Sequence, residues 1–437
     1  MKKALTVIAI TALAAFVFTA CPTVIDETGS GHTHTWDWSV KTPGGGIALD
    51  LGIETCTDCG KTRNECYFVT GEADLVLLSA LAYSGNTYAG KTILQTADIT
   101  LSDYWTPISG FFGTYDGNGM SISGLAINSA QDDYWGFFRL NYGTVKNLTL
   151  SGVTIVGKGC IGGVAAENQG TVQDCHVSGY VYGSGDGRTG GVAGYNRGKV
   201  IGCSVSSFIS GANNTGGVAG YNSGTVTSCS VTGYGVTGAD YTGGVAGYNS
   251  GTVTGCSFTG YSVTGVKNAG GVAGGGPSGS KVIDCHASGA ISATVEEAGG
   301  VVGYLFGGEV SNCYATGTVY SLNFAGGVVG FNISGKVTNC VALNTSISGG
   351  GYLGRVTSYN LSGVITNNYA SSAMTAGGST VTAGTGAATI HGESVDAADY
   401  NTQAWWTTAA NWNTAAWDFS ASSAWKWDNT LKLPVFK

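Results

Sequence analysis

Two groups of residues carry donor chemistry at suggestive spacings. His32-x-His34 precedes Cys56-x-x-Cys59, with Cys66 seven residues further on. Imidazole and thiolate are the donors of tetrahedral zinc, so His32, His34, Cys56 and Cys59 form a candidate metal set. Four protein ligands would leave no open coordination position, which makes any such zinc structural and not catalytic. The spacing differs from that of a zinc finger. Disulfides Cys56–Cys59 or Cys59–Cys66, or an unstructured stalk, are the competing readings. Beyond this zinc no cofactor is expected.

Carboxylates are the second chemical resource. Between Gly136 and Gly350 they are Glu167, Asp174, Asp186, Asp240, Asp284, Glu296, Glu297 and Glu309, and Asp132 and Asp133 stand just before. Glycoside hydrolysis needs two carboxyl groups about 5–9.5 Å apart. The sequence shows no acid pair recurring in adjacent repeats beside a basic residue, so no catalytic constellation is expected. Asp116, in Asp116-Gly117-Asn118-Gly119, reads as turn chemistry.

Cys21 is the remaining reactive candidate. Lys2 and Lys3 precede a largely apolar run, Ala4 to Phe18, that is too short to span a bilayer. The run ends in Phe18-Thr19-Ala20-Cys21, which resembles the lipobox of bacterial lipoproteins, although Phe18 stands where Leu is usual. That resemblance implies cleavage after residue 20, diacylglycerol on the Cys21 thiol, and membrane attachment through lipid alone. Pro22 in place of Asp favours the outer membrane or cell surface of a bacterium. The segment His32-Thr33-His34-Thr35-Trp36 ahead of Cys56-Thr57-Asp58-Cys59-Gly60 is similar to small His/Cys modules near the start of bacterial surface lipoproteins.

The elements that must position these residues follow from composition and period. Charged residues are 11% of 437, against a usual ~25%, while Gly is 74 and Pro only 5. With 43% hydrophobic residues the chain can bury enough apolar surface to order itself. A net charge of −8 offers no footprint for nucleic acid.

Seven Gly-Gly-Val steps end at Val164, Val192, Val218, Val245, Val272, Val301 and Val328, spaced by 28, 26, 27, 27, 29 and 27 residues. A cysteine follows each, at Cys175, Cys203, Cys229, Cys256, Cys285, Cys313 and Cys340. Flanking degenerate copies begin at Gly136 and Val356, giving nine units to about Tyr369. No helical period fits; short strands between Gly, Asn and Ser do. One such unit buries too little apolar area to be stable alone, so the units must stack. The prediction is an all-β chain, a parallel β-solenoid of about nine ~27-residue coils with terminal caps, rising ~4.8 Å per coil. The cysteines then form an inward thiol ladder, whose parallel Cβ vectors suit disulfide torsion poorly. Asn141, Asn168, Asn196, Asn222, Asn249, Asn332 and Asn360 form an amide ladder, interrupted at Gly276 and Leu305.

Gly-Gly-Val-Ala-Gly-Tyr-Asn followed by Val-x-x-Cys resembles the GLUG repeat of bacterial surface proteins. The lead-in from Ala97 to Gly119 strengthens the resemblance, which covers roughly residues 71 to 370. It implies an exported, surface-associated β-helical protein. The repeat also occurs beside the catalytic domain of IgA-specific metallopeptidases, but the His-Glu-x-x-His run they need is absent from this sequence.

The expected organisation is a signal peptide (1–20), a linker (21–35), a small Cys-containing module or stalk (36–70), an N-terminal cap with a helix over Ala73 to Tyr83 (71–130), the solenoid (131–370), and a Trp-rich C-terminal cap (371–437). Six of the ten tryptophans lie in that last segment, and they read as core more than as a sugar platform. Unlike loops at 184–188, 239–241, 266–268, 295–297 and 322–324, and the row Tyr195, Tyr221, Tyr248, Tyr304 and Phe331, are where recognition is expected. The functional expectation is a non-catalytic, adhesin-like binding rod for a host or extracellular protein or glycan. A β-helical carbohydrate-active enzyme and a purely architectural envelope component are the alternatives.

Overall fold

The computed structural model describes residues 36–42, 44, 48–57, 62–412, 417–421 and 423–437. Strand accounts for 53% and helix for 6%. The chain winds into a parallel β-solenoid, as the repeat period requires.

One coil shows how sequence becomes geometry. Ala219–Asn222 is a strand that exposes Tyr221 on its outer side and buries Ala219 and Asn222. A turn leads to Thr225–Thr227, whose Val226 points into the core. Ser228 then adopts φ +53°, and Cys229 follows it inward. This left-handed residue is the bend that separates Val and Cys by three. Asn147, Asp174, Gly202, Gly255, Asp284, Asn312, Asn339 and Asn367 hold the same conformation before their own inward residue. Small polar residues and glycine suit that site because they tolerate positive φ. Short strands Ser230–Val231, Gly235–Thr237 and Thr242–Gly243 complete the coil.

Successive coils pair in parallel register: Ala193, Ala219 and Ala246 align, as do Val200, Val226 and Val253, and Val205, Val231 and Phe258. Like residues therefore stack on like. Each fully buried Val contributes about 1.5–3 kcal/mol of transfer free energy. The Gly-Gly step exists because two backbones meet there. A β-carbon on Gly191 would collide with the Gly217 carbonyl oxygen and stand 2.7 Å from Val205 Cγ1.

The stack is longer than the nine coils expected: it makes about twelve turns. The nine-stranded sheet from Phe138–Asn141 to Thr357–Leu361 matches the recognisable repeats. Before it, Thr92–Gln95 and Thr114–Asp116 already lie in parallel register with Thr144–Lys146. These early turns carry Ile93, Ile108, Tyr115 and Ile122 inside, without the Gly-Gly-Val and Cys landmarks. Helix α1 (Glu72–Tyr83) buries Leu75, Leu78 and Ala82 in the same core as Ile93 and Ile108, covering the N-terminal end. The strands Trp36–Thr42, Leu51–Cys56 and Thr62–Val69 pair antiparallel with one another, and the last of them joins Thr92–Gln95 in parallel.

The segment expected as one C-terminal cap divides into two parts. Residues 372–395 close the last coil. There Val356 N–H donates to Ile390 O at 2.9 Å, and the buried Arg355 guanidinium donates to His391 O, Ser371 O, Gly392 O and Ser394 Oγ at 3.0–3.2 Å. The tryptophan-rich remainder folds back onto the outside of the solenoid. Trp406, Trp412, Trp417 and Trp425 are buried there against Tyr314, Val341 and Leu343. Tyr314 OH ties this layer down by donating to Pro434 O at 2.5 Å. These rings are core.

Candidate functional site

Asn141, Asn168, Asn196, Asn222 and Asn249 form a continuous column in which each Nδ2 donates to the next Oδ1 at 2.8–2.9 Å. Asn332 and Asn360 resume it at 2.6 Å after the interruption. Amides buried this way are satisfied, and they lock the register of the sheet from which Tyr195, Tyr221 and Tyr248 project.

That sheet presents an outward column, in register, of Leu140, Glu167, Tyr195, Tyr221, Tyr248, Gly275, Tyr304, Phe331 and Tyr359. Across the Gly-Gly corner runs a second column, two residues before the first glycine of each step. Tyr134, Cys160 and Arg188 begin it, Tyr241 stands midway, and Glu297, Phe324 and Tyr352 end it. The two columns touch rung by rung. Arg188 lies 4.7 Å over the Tyr195 ring and 5.4 Å over Tyr221. Tyr241 meets Tyr248 edge-on at 4.9 Å, and Phe324 meets Phe331 at 4.7 Å. Arg197 adds a cation 4.4 Å over Tyr195 while pairing with Glu167 at 3.1 Å.

The face changes along the column: guanidinium and phenol at Arg188, two phenols at Tyr241, a carboxyl at Glu297, two phenyl rings at Phe324 and two phenols again at Tyr352. The loops expected to vary are thus one wall of a strip, and the aromatic row is the other. The constant offset of the second column from the glycine step was present in the sequence, but nothing there showed that it faces the first.

The loops also bring charges together, two acids on alternate coils meeting a base on the coil between them. Lys267 Nζ stands 3.9 Å from Asp240 Oδ1 and 3.8 Å from Glu296 Oε1. The three occupy equivalent positions of consecutive coils, so in-register winding stacks negative, positive and negative. Beside them Glu297 is half-buried, with Oε2 lacking a hydrogen-bond partner. Burial, reinforced by the charge of Glu296, pushes its carboxyl up to about 7. Burial also raises the Tyr241 and Tyr304 hydroxyls, with the Glu297 charge contributing to both.

Asp174 and Asp284 serve the left-handed bends at φ +49° and +52°, and Asp116 accepts from Asn118 N–H at 2.9 Å in its turn. The seven ladder cysteines are buried, and all are free thiols. Cys229, Cys256 and Cys285 N–H groups donate to the Sγ of the next coil at 3.4–3.5 Å. Burial pushes the Cys229, Cys256 and Cys313 thiols up. Cys160 sits outside the ladder, its Sγ accepting from Arg188 Nη1 at 3.7 Å.

Of the candidate zinc ligands, Cys56 is buried at the end of Leu51–Cys56, while His32, His34 and Cys59 lie outside the described residues, as does Cys21. Among the described residues no three His, Cys, Asp or Glu side chains come together as a metal site. Among them too, no helix is long and apolar enough to cross a membrane.

Comparison with known proteins places a GLUG motif at residues 295–320. Halomucin of Haloquadratum walsbyi is 30% identical over 134 residues, 28% of this chain. This chain spans 2% of the length of that protein. A crystal structure of a candidate immunoglobulin A1 protease from Bacteroides ovatus aligns at a TM-score of 0.41 and 16% identity, covering 85% of this chain and 92% of that one.

Proposed function

We propose that this GLUG-motif solenoid is an exported, lipid-anchored bacterial surface rod that binds a host or extracellular ligand without catalysis. The double column along the Gly-Gly corner carries this reading. A rigid core holds rungs of unlike, part-exposed side chains in a straight line, which is how repeat folds present extended recognition surfaces. Aromatic and arginine anchors of this kind dominate binding energies where they are found. Cys21 would supply the tether. Labelling with a radioactive fatty acid tests it, with Cys21→Ala expected to abolish incorporation.

The binding reading is tested with the purified chain on arrays of extracellular-matrix proteins and glycans. Arg188→Ala, Tyr241→Ala and Phe324→Ala should each weaken capture of the same ligand by about tenfold or more. Capture that is unchanged in all three would remove the strip from consideration.

A second reading, a carbohydrate-active enzyme, is favoured by one observation: the raised Glu297 carboxyl beside Glu296, Lys267 and Asp240. A protonated carboxyl near neutrality is what a general acid needs. Release of reducing ends from polysaccharide, lost in Glu297→Gln, would establish it.

A further inference from the structure

At another corner of the coil, between Ser230–Val231 and Gly235–Thr237, lies an open groove of about 510 Å³. Its lining includes Ser206, Thr232, Gly233, Tyr234, Thr259 and Tyr261. Tyr234 and Tyr261 are 79% and 81% exposed, more than any other large apolar side chain among the described residues. One and two coils earlier the aromatic residues of this surface satisfy one another. Tyr180 stacks on Phe208 at 5.7 Å and on Tyr182 at 6.2 Å, with planes within 4°. Tyr234 and Tyr261 stack on no ring among the described residues.

The polar inventory points the same way. Thr232 and Thr259 have their N–H groups committed to Val205 O and Val231 O at 2.9 and 2.8 Å. Their hydroxyls have no partner among the described residues. Gly233 and Gly260 let the chain pack closely beneath the groove: a β-carbon on Gly233 would collide with Ser207 O, and one on Gly260 would stand 2.8 Å from Phe258 Cε2. No charged side chain lines it.

We infer that this groove binds a neutral, extended oligosaccharide, at a site separate from the double-column strip. Sugar rings carry an apolar face and a hydroxyl rim. The apolar faces would lie on Tyr234 and Tyr261, and the rims would exchange hydrogen bonds with Thr232 and Thr259, Ser206 Oγ being engaged with His176 Nε2 at 3.3 Å. An acidic polymer finds no cation here, and a purely apolar ligand would leave the hydroxyls desolvated and unpaired.

The test uses the full chain, an array of neutral glycans, and calorimetry with mannohexaose, cellohexaose and hexagalacturonate. A neutral glycan should bind with Kd below about 1 mM. Tyr234→Ala and Tyr261→Ala should each weaken it about tenfold, and the Phe variants should retain most of it. Tyr241→Ala, on the strip, should leave it unchanged, so failure here is distinguishable from failure of the strip. Absence of any neutral-glycan binding, binding of hexagalacturonate alone, or undiminished affinity in the Tyr234→Ala/Tyr261→Ala double variant would overturn the inference. The substituted rings are exposed, so folding of the variants is not at stake.

Discussion

The ring of Tyr241 lies over Gly275: a β-carbon on that glycine would stand 2.9 Å from Tyr241 Cε1. Gly275 is the one glycine in the outward column that otherwise carries Tyr248 before it and Tyr304 after it. A residue from the facing loop thus supplies the ring that the column lacks. Glu297 shares this neighbourhood, and its burial, with the charge of Glu296 beside it, is why its carboxyl resists ionisation.

Glu297 has a sign that can be checked. Its folded value, about 7, exceeds the ordinary 4.5, so the folded chain holds the proton more tightly than the unfolded one. The stabilisation is complete below the ordinary carboxylate range and is lost as pH rises through 7. Glu297→Gln should therefore be more stable than the parent at pH 8, by about 1–2 kcal/mol after allowing for its exposure, and near-equal at pH 4. Urea unfolding at both pH values measures the difference.

His286 should act in the opposite direction. It stacks on Tyr314 at 4.9 Å beneath Trp425 and Phe436, and burial pulls its imidazole from 6.5 down to about 4. The unfolded or undocked state then takes up a proton first, so this contact weakens as pH falls from 6.5 towards 4, by about 3 kcal/mol in total. Asp284, the acidic neighbour, is raised by burial, which offsets part of the loss. Tryptophan emission should shift to the red over that interval in the parent and much less in His286→Phe. An identical shift in both would show that His286 is not the sensor.

Asn222 tests the amide column. Its Nδ2 donates to Asn249 and its Oδ1 accepts from Asn196, both at 2.8 Å. Asn222→Ala leaves two buried amides with a missing partner and should cost about 2–4 kcal/mol. Equilibrium unfolding would read this as a lower midpoint.

Gly191→Ala probes the corner. The collision is with backbone and with a core valine, neither of which can yield, so destabilisation of about 3 kcal/mol or more is expected. A thermal melt within a degree or two of the parent would contradict the close approach.

Three of the ladder thiols, Cys229, Cys256 and Cys313, should be inert. Burial keeps Cys229, Cys256 and Cys313 protonated, and thiolate is the reactive form. An aromatic disulfide reagent should leave them unmodified in the native chain and titrate them in denaturant. Cys256→Ala should cost about 1–2 kcal/mol through the void it leaves.

The solenoid and its interior were legible because Val, Cys and Asn recur at one period, and parallel stacking demands that recurrence. The two early turns were not. Ile93 precedes Tyr115 by 22 residues and Tyr115 precedes Val145 by 30, so no constant interval marks them. The tryptophans were legible as core but not as a layer on the flank, since composition carries no direction. Asp240, Lys267 and Glu296 were visible as loop residues. Their meeting depends on coil lengths between them that differ by two residues, which the loops absorb without shifting the rung.

Arg355 has one more consequence. A repeating cross-section is a template for its own elongation, because the last rung could hydrogen-bond to the first rung of another molecule. The strap that Arg355 pins across Val356 and Thr357 occupies those donors, both of which bond to Ile390 O, so this end offers them to no second molecule. Detaching that strap would expose a rung able to pair with another copy.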